Sequence, residues 1–137
     1  MAKVKVQVDE EFALRLATLA DKTDVIVPKV LESGGEVVLA KVKSNLESVL
    51  SGESTGELAR SLGLSKARLN HDGNYDVKVG FSEPRSDGKS NAMLANVLEY
   101  GKHNQPPRPF LKPAKRQTES ACVEAMKQKF ESEVENL

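Results

Sequence analysis

Two histidines, one cysteine and one histidine–aspartate pair are the residues whose types could support catalysis or metal binding. His71 precedes Asp72 in a turn-forming segment, and His103 lies in a proline-rich stretch. Neither histidine has a spacing typical of metal ligands, and no P-loop, dinucleotide-binding glycine pattern or nucleophile elbow occurs. Adjacent turn residues rarely act as an acid–base pair, so the His71–Asp72 pair is interpreted as turn chemistry. The sequence therefore predicts no catalytic residues, no metal site and no cofactor.

Cys122 is the one cysteine, so the chain cannot form an internal disulfide. It falls in a helical pattern between Ala121 and Val123 and is interpreted as a small apolar residue. The first residues lack the apolar core of a signal peptide, and no stretch reaches the ~20 apolar residues of a membrane helix. We therefore expect a soluble protein that is made in the cytoplasm and does not contact a membrane.

The length of 137 residues suits one domain spanning residues 1–137. Twenty basic and twenty acidic side chains give zero net charge, which does not favour general attraction to nucleic acid and is compatible with self-assembly. The apolar fraction of 39% is low for a globule. Either the fold has much surface for its size, or partners cover part of that surface.

Hydrophobic periodicity predicts the elements of the first half. Alternating valines predict a short strand over residues 4–8, and Asp9 can cap a helix that ends near Asp21. Asp24 can cap a second helix to about Leu50, in which Gly34-Gly35 is the weak point and a candidate bend. Ser54 and Glu57 match a capping box before a short helix that ends near residue 61.

The second half alternates between strands, turns and helices. Residues 62–69 predict an irregular strand, residues 70–74 a hairpin turn, and residues 75–81 the clearest strand of the chain. After a polar loop expected to be mobile, a helix runs from Ser90 to Gly101. A proline-rich extended segment follows, and Pro113 lies in the first turn of the last helix. This order, β-α-α-β-β-α-α, predicts an α+β fold with a small, mainly antiparallel sheet of three to four strands, packed by helices.

The proline-rich segment at residues 105–110 is stiff and therefore costs little entropy to fix. Phe110 and Leu111 at its end are apolar, so one or both must be buried. They pack under the loop, or the loop is an arm that reaches another subunit; a polyproline ligand is a weaker third alternative.

The charges near the chain end are segregated. Residues 102–116 contain five cations and no acid, whereas the following helix is mainly acidic. The basic loop of one subunit could meet the acidic helix of its neighbour. The alternative is a solvated loop beside a solvated helix.

Two motifs carry a resemblance to a known family. The first is Leu98-Glu99-Tyr100-Gly101 followed, after a spacer, by the run from Pro106 to Ala114; the second is the run from Thr55 to Leu62. In order and spacing, with strand residues 77–80 between them, they resemble the tail-component family of tailed bacteriophages typified by gene product ten of phage HK-ninety-seven. The resemblance covers about residues 3–134. Family members often have threonine where this chain has Lys102, which puts the first hydrogen bonds of the loop in doubt.

The resemblance marks the motif residues as mainly fold-specifying and as a candidate subunit interface. Gly101 would end a helix, and Glu99 could pair with Arg108 across the turn, which is a hypothesis. The motif residues are Thr55, Gly56, Leu58, Ser61, Glu99, Tyr100, Gly101, Pro107, Arg108, Pro109, Phe110, Leu111, Pro113 and Ala114.

The resemblance implies a structural virion protein, not an enzyme, located at the head–tail junction or tail of a phage particle. Such proteins form homo-oligomeric rings, for example hexamers, in the neck, tail-completion or tail-terminator layer. Their partners would be further copies and other neck, connector or tail proteins, with DNA only passing through the lumen. The loops at residues 82–90 and 102–109 are the candidates for inter-subunit or lumen contacts. The alternative function is a small phage assembly or regulatory binding module that engages one protein partner. A small hydrolase using His71 and Asp72 is the least favoured reading.

Overall fold

The computed structural model describes residues 4, 5, 7, 9–50, 56–83 and 85–137, and within them the order of elements is α1 (Glu10–Asp21), α2 (Thr23–Val49), α3 (Glu57–Ser61), β1 (Leu62–Leu64), β2 (Arg68–Leu69), β3 (Tyr75–Asp76), β4 (Val79–Phe81), α4 (Asn91–Tyr100) and α5 (Leu111–Glu135). The α+β class is confirmed. The strand predicted at residues 4–8 depends on Val6 and Val8, which lie outside the described residues.

The first two helices meet at one residue. Asp9 caps α1 as predicted, because its carboxylate accepts the N–H of Phe12 at 2.7 Å. Lys22 ends α1 and starts α2, and its carbonyl accepts the N–H groups of Val25 and Ile26. The cap predicted at Asp24 is wrong, because Asp24 lies inside the first turn and accepts the Tyr75 hydroxyl at 3.0 Å instead.

The long helices α2 and α5 pack against each other in antiparallel directions. The start of α2 contacts the end of α5 through Lys29 and Glu133, at 3.5 Å. The end of α2 contacts the start of α5 through Asn45, which donates to the side chain of Gln117 at 3.0 Å. This pair forms the frame on which the strands and α4 are placed.

The Gly34-Gly35 pair lies within α2, which continues through it as one helix. A Cβ on Gly34 would lie 2.6 Å from Cγ of Met126, and a Cβ on Gly35 would lie 2.7 Å from a methyl group of Leu64. Both glycines are buried. They let α5 approach one side of α2 and β1 approach the other. This close approach explains why glycine occurs here despite its unfavourable helix propensity.

Gly34→Ala and Gly35→Ala are each expected to lower the free energy of unfolding by about 1–2 kcal/mol, because overpacking outweighs the helix propensity of alanine. Chemical denaturation measures this change. Glu36→Ala is the matched control, since Glu36 is exposed in the same helix and its loss should be nearly neutral. A higher free energy of unfolding for both Gly34→Ala and Gly35→Ala would show that the packed elements have room to separate.

The four strands form two antiparallel ladders of two strands each instead of one sheet. β1 pairs with β4, and β2 pairs with β3. The continuous strand predicted over residues 75–81 is interrupted at Val77 and Lys78. There the hydroxyl of Ser65 accepts the N–H of Lys78 at 2.9 Å, so a side chain replaces a backbone partner and ends the ladder.

The hairpin turn between β2 and β3 is confirmed. The side-chain oxygen of Asn70 accepts the N–H groups of Asp72 and Asn74, and Gly73 takes a positive φ of 79°. This local hydrogen bonding explains why the polar cluster forms a turn.

The core lies where α2, α3, α4 and α5 converge over β4. Its buried apolar residues are Val42, Leu46, Leu58, Ala95, Phe110 and Ala114. Ser90 caps α4 as predicted, by accepting the N–H of Met93 at 3.2 Å. Among the described residues, none of the helices has the length and apolar character needed to cross a membrane.

Candidate functional site

The candidate site is the junction between α4 and α5, defined here as residues 98–114. Its centre is Glu99, which leaves α4 in its last turn and is only 3% exposed. The carboxylate of Glu99 accepts the backbone N–H groups of Phe110, Leu111 and Lys112 at 2.8, 2.8 and 2.9 Å. Pro113 has no N–H to offer, so one carboxylate satisfies the first turn of α5.

The predicted pairing of Glu99 with Arg108 is wrong. Arg108 donates its backbone N–H to the carbonyl of Leu98 at 2.7 Å and its guanidinium to the carbonyl of Val49 at 3.0 Å. The physical reason is that each charged group meets a helix end of the opposite partial charge. Glu99 lies at the positive N-terminus of α5, and Arg108 lies at the negative C-terminus of α2.

Two opposing effects set the acidity of Glu99. Burial is the largest single influence and acts to raise its pKa. The backbone N–H groups of Leu111, Lys112 and Phe110, together with the Lys112 charge, act in the other direction. In sum, the pKa of Glu99 lies below its ordinary value of 4.5, so the folded chain favours the carboxylate.

We expect the chain to lose stability as the pH falls below 4.5, the ordinary pKa of Glu99. Because the folded chain holds this pKa lower, the stabilisation is complete above the unfolded value and is lost as the pH falls through the folded value. Denaturation midpoints between pH 7 and pH 3 measure this loss, and Glu99→Gln should flatten the profile. Profiles of the same slope in both proteins would contradict the assignment.

Three further carboxylates, of which Glu57 is half-buried and Glu83 and Asp87 are exposed, add to the same acid sensitivity. A backbone N–H of Ser86 lowers the pKa of Glu57, and a backbone N–H of Ala92 lowers the pKa of Glu83. The side chain of Arg85 lowers the pKa of Asp87. The stability of the Glu99→Gln variant should therefore fall less steeply with decreasing pH than that of the unchanged chain, but it should still fall.

Gly101 allows the chain to turn sharply after α4. Its φ is +76°, and a Cβ there would lie 2.7 Å from the carbonyl oxygen of Gln105 and 2.8 Å from the nitrogen of Pro107. The next residue, Lys102, exchanges two backbone hydrogen bonds with Gln105, at 2.9 and 3.0 Å. The backbone hydrogen bonds that begin the loop are therefore made with lysine at this position.

Phe110 is fully buried, which confirms that it packs under the loop. Its ring meets the ring of Phe81 edge to face, with the centroids 6.2 Å apart. The side-chain amide of Asn45 donates a hydrogen bond to the backbone carbonyl of Phe110 at 3.2 Å. Ala114, one turn later, is also fully buried and lets α5 approach the core closely.

Several other junction residues leave much of their surface in solvent. Tyr100 is 61% exposed, and the ammonium group of Lys112 lies 5.0 Å from its ring centroid. Leu111 is 36% exposed, although an apolar residue at this position was a candidate for burial. Pro107, Arg108 and Pro109 are exposed as well.

The second motif lies in and around α3. Gly56 precedes α3 with a φ of +80°, Leu58 is buried in the core, and the hydroxyl of Ser61 donates to the carbonyl of Leu58 at 2.7 Å. Thr55 and the Ser54 half of the predicted capping box lie outside the described residues. The carboxylate of Glu57 accepts the N–H and hydroxyl of Ser86.

The loop after β4 and the first residue of α4 form a network whose members the sequence did not single out. Asn91 is 1% exposed, donates to the carbonyl of Ser82 at 2.7 Å and accepts the guanidinium of Arg85 at 2.9 Å. Arg85 also pairs with Asp87 at 3.1 Å. Asparagine directly after a capping serine gives no sequence signal for burial, so this network could be found only from the structure.

The residues with reactive side chains lie apart in the fold. His71 is exposed in the β2–β3 turn, His103 is exposed in the loop after α4, and Cys122 is half-buried in α5. Within the part of the chain that the structure describes, no group of three or more histidine, cysteine, aspartate or glutamate residues is placed to hold a metal ion. The two motifs contribute residues to the hydrophobic core, and they do not surround the histidines or the cysteine.

A protein-family model described as "Bacteriophage HK97-gp10, putative tail-component" matches residues 10–101, which is more than half of the chain. The chain belongs to this family. The match includes Glu99 and the two residues that follow it, whereas the run from Pro106 to Ala114 lies beyond the matched range. Neither the curated proteins nor the solved structures include a match to the chain. Family membership identifies the chain as a phage tail component and supports a structural role.

Proposed function

We propose that this tail component is a ring-forming structural subunit at the head–tail junction of a tailed phage, acting in the neck, tail-completion or tail-terminator layer. The observation that carries the proposal is membership of the phage tail-component family. In the proposed particle, copies of the chain contact one another and neighbouring neck, connector or tail proteins, and DNA passes through the lumen. The chain acts by assembly and catalyses no reaction.

The use of the motif residues supports a structural role. Glu99 caps a helix, Gly101 makes a turn, Phe110 fills the core, and Arg108 satisfies a helix end. These contacts fix the angle between α4 and α5. A rigid junction suits a subunit that must present the same surfaces to every neighbour in a ring.

The distribution of apolar side chains also supports assembly. Several large apolar residues of the helices are 43% to 67% exposed, and they occur on α1, α2, α4 and α5. They are Phe12, Leu14, Leu16, Val25, Met93, Tyr100, Val123 and Phe130. Contact with further subunits would remove this surface from water.

Blocking translation of the chain during growth of the phage that encodes it should leave filled heads and unattached tails in the lysate. Electron microscopy of the lysate shows this directly, and mass spectrometry should find the chain in intact virions. Tails of uncontrolled length would instead favour the tail-terminator layer. Normal particles without the chain would contradict the proposal and favour a regulatory binding module.

A further inference from the structure

An apolar groove and a largely exposed helix lie on separate parts of the fold. The groove consists of two adjoining cavities of about 550 and 540 Å³, which share Val79 and Leu111. Met93 lines one cavity and Val123 lines the other, and they are 63% and 57% exposed. We call this surface the Leu111 groove.

The largely exposed helix is α1, which has no buried residue in the part of the chain that the structure describes. Phe12, Leu16 and Leu19 recur at a spacing of four and three residues and therefore share one face. Phe12 and Leu16 are 49% and 47% exposed. Among the described residues the stripe is only partly covered, since Leu19 is half-buried while Phe12 and Leu16 keep about half of their surface in solvent.

The α1 helix cannot cover the Leu111 groove of its own chain. It joins α2 at Lys22, and the groove includes Val42, about 30 Å further along α2 at 1.5 Å per residue. The twelve residues of α1 span only about 18 Å. An occupant with the chemistry of α1 must therefore come from another copy.

The charges of the two surfaces are complementary. Residues 9–21 carry four carboxylates and one arginine, and three of the carboxylates, Asp9, Glu10 and Glu11, lie at the start of α1. Lys115 and Arg116 line the Leu111 groove together with Glu119. The groove borders residues 102–116, which carry five cations and no acid.

We propose that the apolar face of α1 docks in the Leu111 groove of a neighbouring copy, with its acidic first turn beside Lys115 and Arg116. The contact joins two different surfaces of the chain, so it repeats head to tail and closes a ring when the rotation permits. It gives the proposed ring its subunit interface and rests on that proposed function.

Disulfide trapping tests the contact between copies. One variant carries Phe12→Cys and the other carries Leu111→Cys, which is one helical turn from Lys115 in the groove; both carry Cys122→Ser, and the two are mixed and oxidised. We expect a heterodimer of the two variants, identified by mass, because the two side chains meet in the docked pair. Leu14→Cys replaces Phe12→Cys in the control; Leu14 is more exposed, at 67%, but lies on another face of α1. Equal trapping by Leu14→Cys, or no trapping by Phe12→Cys, would overturn the proposal.

Charge reversal tests the orientation of α1 in the groove. Lys115→Glu with Arg116→Glu should weaken association about tenfold, and Glu10→Lys with Glu11→Lys should restore it in the same chain. Sedimentation measures association, and unchanged melting temperatures exclude misfolding. If Glu10→Lys with Glu11→Lys did not restore association, the proposed charge pairing would be overturned.

The two proposals fail in distinguishable ways. If the unchanged chain forms rings while Phe12→Cys and Leu111→Cys are not trapped, the docking of α1 is wrong and the ring stands. If the cysteines are trapped while the unchanged chain stops at dimers, the docking stands and the ring is wrong.

Discussion

Phe110→Ala is expected to lower the free energy of unfolding by about 4 kcal/mol, which is the largest effect that the structure predicts for one side chain. Phe110 is 0% exposed and lies among Val42, Leu46 and Ala114 in the core. Truncation removes its contact with Phe81 and leaves a cavity beneath the proline loop. Chemical denaturation at neutral pH measures the loss.

Phe130→Ala is the matched control for Phe110→Ala. Phe130 lies in the same helix, α5, and is 43% exposed, so its loss should cost about 1 kcal/mol or less. If Phe110→Ala melted like the unchanged chain but failed to assemble, Phe110 would be an interface anchor and the buried position would be wrong. Similar losses for both phenylalanines would also contradict the core assignment.

Glu99→Gln is expected to lower the free energy of unfolding by about 3 kcal/mol at pH 7, because a charged acceptor is lost and an amide NH₂ group is brought to N–H donors. Glutamine has nearly the same size, so the change reports on hydrogen bonding and not on packing. Glu99→Asp should also destabilise, since its shorter side chain cannot reach all three N–H groups of α5. Thermal and chemical denaturation check both variants.

Glu119→Gln is the control for Glu99→Gln, because Glu119 is an exposed carboxylate on α5. Its replacement should change stability by less than about 0.5 kcal/mol. A Glu99→Gln protein as stable as the control would show that water or another group can cap α5 in place of the carboxylate.

Local signals allowed the helices and turns to be predicted. Asp9 and Ser90 cap their helices, Asn70 accepts the hydrogen bonds of its turn, and Phe110 is buried at the end of the proline-rich segment. The caps and the turn depend on hydrogen bonds among near neighbours in the chain, and the burial of Phe110 was expected from its apolar side chain at the end of a stiff loop. Interactions between residues that are close in the sequence can be predicted from the residue types alone.

Contacts between distant segments could not be predicted in the same way. Glu99 was expected to pair with Arg108, yet it caps α5, because the position of a helix end relative to a side chain is set by the fold. The Gly34-Gly35 pair looked like a weak point, and it is a close approach to Met126 and Leu64. Ser65 ended a strand that alternation predicted to be continuous.

The candidate interface follows the same division. The α1 stripe was visible in the spacing of Phe12, Leu16 and Leu19, and the basic run before Arg116 was visible in composition. The Leu111 groove could not be predicted, because α4, β4 and α5 contribute to it from separate parts of the chain. Only the assembled fold shows that helix and groove lie too far apart for one copy.

The ring is the central claim, and the most direct test is the solution mass of the chain by light scattering over a wide concentration range, with negative-stain images of the same samples. The measurement is made on the chain alone and after mixing with tail tubes from lysates in which translation of the chain is blocked. We predict closed rings of one size, in solution or on the ends of the tubes. A monomer at every concentration, with bare tube ends in the mixture, would contradict the account.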